Sequence, residues 1–289
     1  MEYFIAQIVN GLAQGSIYAL MAIGYSVVVG VVGLVTFTHG EVIMLGAYAS
    51  YYAFTFVGEN IFLGIIAAFF ASWFIGIFVY KICYERFFDS PRHISLICTI
   101  GMSMLLKNLA QIVFGPNMKA MPQPIPLHFI NVFGVRINTI QILIVLVVLS
   151  LSLGLYIVNN KTQWGIKLRA VSQDKQASAL MGINVRRTAM IGNSIGCSLG
   201  GVAGMLLSIY YQSILPTMGG SLGLKAFSSS VLGGLTEASA SALGGLLIGL
   251  IENLGTSVLS NSYRDVFAFI FLVLVLIIKP EGFSKKVGG

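Results

Sequence analysis

Long apolar runs repeat along this 289-residue chain and decide the solvent in which it folds. Ile140–Leu155 holds no charged residue and does not alternate apolar with polar. It therefore reads as helix and not as a strand of a transmembrane barrel. A hydrocarbon core about 30 Å thick needs about 20 such residues per helix. Candidate spans fall at 5–33, 38–57, 60–82, 93–114, 137–158, 188–211, 218–236, 239–257 and 264–279. The predicted fold class is an all-α polytopic membrane protein, one transmembrane domain over 1–289, with eight or nine transmembrane helices, some Gly-rich and broken. A content of 56% hydrophobic residues, against about 45–50% in soluble domains, agrees with it.

Only 9% of the residues are charged, yet Lys161, Lys167, Arg169, Lys175, Arg186 and Arg187 crowd into 159–187 with a single acid, Asp174. Positive loops gather on the cytoplasmic side of a membrane. The loop 159–187 is therefore placed inside, with the turn between Lys81, Arg86 and Arg92 and the tail bearing Lys279, Lys285 and Lys286. The helices 93–114 and 137–158 separate the first two of these loops, which puts 115–136 outside. Pro116, Pro122, Pro124 and Pro126 lie there, and proline fixes φ and removes a donor. An ordered extracytoplasmic loop without helix is expected. Met1-Glu2-Tyr3 lacks the basic start of a cleavable signal. The first run should then stay as a helix with its N-terminus outside, and nine crossings leave the C-terminus cytoplasmic.

The net charge of +7 sits at loops and helix ends, with no basic–aromatic patch, which argues against nucleic acid as a partner. Cys83, Cys98 and Cys197 are isolated, and His39, His93 and His128 show no ligand spacing, so no metal site or cofactor is expected. Glycines recur at helical spacing, as Gly11-xxx-Gly15, Gly196-xxx-Gly200-xxx-Gly204 and Gly245-xxx-Gly249. Such faces let helices approach closely in lipid.

Two polar interruptions stand out. Thr36-Phe37-Thr38-His39-Gly40-Glu41 is dense in polar groups within an apolar region. It reads either as a break between helices that lines a transport site or as a cap at the cytoplasmic interface. Pro216-Thr217-Met218-Gly219-Gly220-Ser221, followed by Lys225, occupies a comparable place in the second half. Lys225 either faces a pathway or snorkels to the surface. Glu252, Asn253, Arg264 and Asp265 are read as interfacial, with no role.

The loop 159–187 divides into two short helical pieces, with Asp174 in the first turn of the second and Gly182 as its stop. Ala177, Leu180 and Met181 form an i, i+3, i+4 apolar stripe. In water that stripe either docks into a groove on another protein or packs onto its own membrane domain. No Gly-x-x-x-x-Gly-Lys-Ser/Thr sequence occurs, so any ATPase is a separate chain.

The stretch Gly11-Leu12-Ala13-Gln14-Gly15-Ser16-Ile17-Tyr18-Ala19-Leu20 resembles the opening of permeases of the high-affinity branched-chain amino acid ABC importers. Phe37-Thr38-His39-Gly40-Glu41, Arg169-Ala170, Leu180-Met181-Gly182-Ile183-Asn184, Lys225-Ala226-Phe227 and Val231-Leu232-Gly233-Gly234 are similar to motifs of the same family, in the same order. The resemblance runs from about 8 to 283 and is to the smaller permease type. It implies a translocation subunit of a bacterial or archaeal inner-membrane importer. Partners would be two ATP-binding subunits, a second homologous permease and an extracytoplasmic solute-binding protein, with ATP bound by the partners alone. Ser16, Tyr18, Phe37, His39, Glu41 and Lys225 are the candidates for a substrate pathway or gate. Arg169, Asp174, Ala177, Leu180, Met181 and Gly182 would couple the permease to the ATPase. Thr36 and Thr38 replace the family's usual Asn and Ala, and 235–242 departs from its usual Gly-Ser turn. Relatives serving urea or short amides keep that alternative open, and an ion-coupled secondary transporter using Glu41 is the other.

Overall fold

A computed structural model describes residues 2–88, 90–125, 129–132, 135–258 and 264–278. Eleven α-helices are present among them: α1 (Glu2–Val32), α2 (His39–Phe56), α3 (Ile61–Val79), α4 (Arg92–Phe114), α5 (Thr139–Lys161), α6 (Gln163–Gln173), α7 (Lys175–Leu180), α8 (Val185–Tyr211), α9 (Met218–Leu232), α10 (Ala238–Val258) and α11 (Arg264–Ile278). A π-helical turn, Tyr80–Glu85, continues α3. The segment between α4 and α5 contains short strands: β1 (Lys119–Ala120), β2 (Phe129–Val132) and β3 (Val135–Asn138). β2 pairs antiparallel with β3, and β1 with β4 (Ser213–Ile214), which ties this segment to the end of α8. Pro126, His128 and the basic tail 279–289 lie outside the described residues.

Helix starts follow local chemistry. The Asn60 side chain accepts from the Phe62 N–H at the head of α3. Asn138 and Gln141 form a reciprocal capping box on α5.

Among the described residues six helices are long and apolar enough to cross a membrane: Phe4–Val32, Ile61–Glu85, His93–Phe114, Thr139–Lys161, Val185–Tyr211 and Ala238–Ser257. The expectation of eight or nine spans is met by this criterion only for six. α9 and α11, at 15 residues, rise about 22 Å each, less than a bilayer core. α1 and α8 form the centre. In the most apolar stretch of α1, 89% is buried, and of α8 83%, against 17% for α5.

Glycine makes that centre possible. α1 and α10 meet at Gly11 with Leu250, Gly15 with Leu246, and Ala19 with Gly245, so they run antiparallel. A Cβ on Gly15 would lie 2.9 Å from the Leu246 carbonyl oxygen, backbone that has nowhere to retreat. The small-residue spacing of the sequence is thus a backbone contact surface.

Between α1 and α2 the chain does not leave the bundle. It turns back beside α1: the Tyr25 hydroxyl donates to the Thr36 carbonyl oxygen at 3.1 Å and accepts from the Thr36 N–H at 3.3 Å. His39, the first residue of α2, then lies against Gly200, midway along α8. Irregular backbone at this depth is tolerated only where protein covers it. Thr36, Thr38, His39 and Glu41 are each at most 4% exposed.

Candidate functional site

The break after α1 brings two helix starts together. Gly40 at the head of α2 packs on Gly219 and Gly223 at the head of α9, so the two interrupted segments of the sequence meet at one place. Thr36 Oγ1 and Thr38 Oγ1 share a 2.9 Å hydrogen bond. His39 stacks edge-on to Tyr25, with ring centroids 5.4 Å apart, and neither of its ring nitrogens has a hydrogen-bond partner among the described residues. Glu41 Oε1 accepts a long 3.5 Å bond from Ser103 of α4. Beside this crossing lies a cavity of about 340 Å³. Its wall is mostly apolar, with Phe37, Ile100, Met104, Leu224 and Phe227, and is interrupted by Tyr25, Thr36 and Ser103. The interfacial-cap reading of His39 and Glu41 does not hold, because both side chains are deep in the bundle.

Lys225 sits elsewhere. It is 5% exposed, which overturns the snorkelling alternative. Its Nζ lies 2.5 Å from Glu252 Oε1, 2.8 Å from Asp265 Oδ1 and 3.1 Å from Tyr18 Oη. Glu252 Oε2 accepts from Gln14 Nε2 at 2.8 Å, and Asn253 Nδ2 donates to Gln14 Oε1 at 2.8 Å. Arg264 Nη1 donates to Tyr211 Oη at 2.6 Å. The network joins α1, α8, α9, α10 and α11. Tyr18 and Lys225 therefore share one site, apart from His39 and Glu41, while Phe37 faces the cavity. Ser16 joins neither, because its hydroxyl donates to the Leu12 carbonyl within α1.

The third region is the short-helix pair. Asp174 caps α7, accepting from the Gln176 and Ala177 N–H groups at 2.8 and 3.0 Å. Gly182, at φ +79°, ends it in a Schellman turn: the Ile183 N–H bonds the Ser178 carbonyl, and the Gly182 N–H the Ala179 carbonyl. Leu168 and Val171 anchor α6 in the core, and Arg169 Nη1 holds Asn160 Oδ1 at 2.6 Å. Lys175 Nζ donates to the Val32 carbonyl at 2.6 Å, where a cation favourably meets the C-terminus of α1. With Ser178 buried beneath, the stripe turns outward: Leu180 is 89% and Met181 82% exposed, and Ala177 is exposed too. Packing of the stripe onto its own domain is excluded.

A family described as the permease component of the branched-chain amino acid transport system matches residues 7–276. The chain belongs to that permease family. It is 37% identical over 292 residues to the high-affinity branched-chain amino acid transport system permease protein BraD of Pseudomonas aeruginosa, covering 97% of this chain and 95% of that protein. It is 36% identical over 293 residues to the corresponding permease LivH of Escherichia coli, with the same coverage. A fructose import permease, FrcC of Rhizobium meliloti, is 25% identical over half of the chain. No solved structure matches.

Within this permease the sequence reading missed Gln14, Glu252, Arg264 and Asp265. The signal was present. A lysine inside an apolar helix demands an acid from another element, and Glu252 is the acid set within an apolar run.

Proposed function

We propose that this permease is the membrane-spanning subunit of a binding-protein-dependent importer for branched-chain amino acids. It moves solute by alternating access and performs no covalent chemistry of its own. The observation that carries the solute class is the full-length identity to two branched-chain permeases, which the match to the fructose permease does not rival in extent or identity. Nothing favours the urea or amide alternative, or ion coupling.

The energy comes from outside the chain. Of two ATP-binding subunits, one docks at the α6–α7 segment, where Leu180 and Met181 fill an apolar groove and Asp174 and Gly182 fix the shape of the docking turn. The link from Lys175 to the end of α1 gives that segment a rigid hold on the central helix. A second, homologous permease completes the pathway as a heterodimer, and an extracytoplasmic solute-binding protein delivers the solute. The protein sits in the inner membrane of a bacterium or archaeon with its C-terminus cytoplasmic. Nine helices cross or enter the membrane: α2 and α9 begin part-way through, where Gly40 meets Gly219, and the short α11 packs through Phe267 against Gly255 of α10. The Glu41 crossing acts as the pathway gate, while the Lys225 network holds the helices around it.

The test is uptake of labelled leucine, with labelled urea in parallel, in cells with and without the gene. Loss of leucine uptake alone is expected, and loss of urea uptake alone would move the function to urea. Met181→Glu puts a charge into the docking stripe and is expected to abolish leucine uptake while the protein still inserts in the membrane. Intact uptake in that variant would remove the docking assignment.

A further inference from the structure

Glu41 is 2% exposed, and its Oε2 has no hydrogen-bond partner among the described residues. That oxygen faces the first turn of α9, where a Cβ on Gly219 would collide with it, and α9 carries no side-chain N-cap. Lys107 lies one turn beyond Ser103 on the same face of α4, so a cation stands near the residue that bonds Glu41. Glu41 and Lys107 are not within salt-bridge distance, in contrast to the direct pairing of Lys225. Opposite charges held within one membrane layer at a cost, without closing on each other, suit a ligand that carries both signs. The Glu41 carboxylate stands just behind the wall of the 340 Å³ cavity, between Ser103, which lines it, and Gly219, whose neighbour Gly220 lines it.

We propose that this wall reads a zwitterionic α-amino acid in transit. Glu41, with Ser103, receives the α-ammonium group, and Lys107 attracts the α-carboxylate about 6 Å further along α4. The aliphatic side chain lies among Phe37, Ile100, Met104 and Leu224. This rests on the amino acid importer reading above and adds the residues that recognise the solute. A carboxylate already stands at the head of α9, so the crossing repels an anion and favours a cation there. A neutral amide carries neither charge and so satisfies neither Glu41 nor Lys107.

The test uses the complete importer in liposomes with leucine-loaded binding protein, recording labelled leucine uptake and ATP hydrolysis together. Failure of the wild-type importer to move leucine would overturn the solute assignment, and this inference with it. With wild-type uptake established, Glu41→Gln and Lys107→Met should each lower uptake about tenfold or more, the loss expected for one charged hydrogen bond. ATP hydrolysis stimulated by the binding protein should persist, so leucine moved per ATP falls. Glu41→Asp, which keeps the charge, should recover much of the uptake. Wild-type uptake in Glu41→Gln would overturn the proposal. So would a parallel fall of uptake and hydrolysis in both Glu41 variants, which would make the role structural.

Discussion

Two buried polar clusters meet α1 at different levels, one at Gln14 and Tyr18 and the other at Tyr25, and they handle charge in opposite ways. Around Lys225 the groups close on one another: two carboxylates, a phenol and two amides leave the ammonium no unmet demand. Around Glu41 they do not. Among the described residues, His39 and Glu41 keep three buried atoms without hydrogen-bond partners, next to a cavity, against one, Arg264 Nε, in the Lys225 network. In lipid an unpaired charge costs several kcal/mol, so a closed network reads as fixed architecture and an open one as a site that another molecule completes. The first cluster should respond to mutation mainly through stability, and the second mainly through transport.

The largest expected effect falls on the closed network. Glu252→Ala leaves Lys225 buried with only Asp265, itself 52% exposed, as a counter-charge. Removing one member of a buried pair costs about 3–5 kcal/mol. The yield of folded importer in mild detergent should collapse, as read by size-exclusion chromatography. The double variant Lys225→Met with Glu252→Leu removes both charges and should recover most of that yield. Failure of the double variant to recover would mean that the network does more than hold helices, and the contrast with Glu41 would weaken.

A middle-sized effect belongs to Tyr25, whose hydroxyl serves both the N–H and the carbonyl of Thr36. Tyr25→Phe strands two backbone groups at mid-depth, at a cost of about 1–3 kcal/mol. The melting temperature of the purified importer should drop measurably, and uptake should fall further than the loss of folded protein explains. An equal fall in both would assign the crossover a structural role and erase the distinction between the clusters.

The difference between the clusters also explains what was legible in the sequence. Thr36–Glu41 announces itself, because the polar groups are contiguous and a single Gly40 marks the break. The α6–α7 turn is equally plain, since capping by Asp174 and the stop at Gly182 are local chemistry. The Lys225 network is assembled from residues as far apart as Gln14 and Asn253, each a single polar side chain in an apolar helix. Periodicity places each on a helix but does not say which helices adjoin. The span count suffers from the same gap. α2, α9 and α11 occupy the segments their apolar runs suggest, but the depth at which α2 starts is set by Gly40 on Gly219 and His39 on Gly200, contacts between distant segments.

The smallest expected effect sharpens the contrast most. Thr36→Val keeps the shape of the side chain and removes only the hydroxyl shared with Thr38 Oγ1 and the Thr38 N–H. The backbone bonds to Tyr25 survive the change, so the break keeps its course. The lost hydrogen bonds are worth about 1 kcal/mol, a shift near the limit of a thermal melt of the purified importer. Because Thr36 also lines the cavity, the same change alters the polarity of the wall that the solute meets. Leucine uptake at a saturating level of binding protein should therefore fall by more than the melt accounts for. Unchanged uptake would confine the solute's path to the Glu41 side of the crossing, with Thr36 serving only the turn.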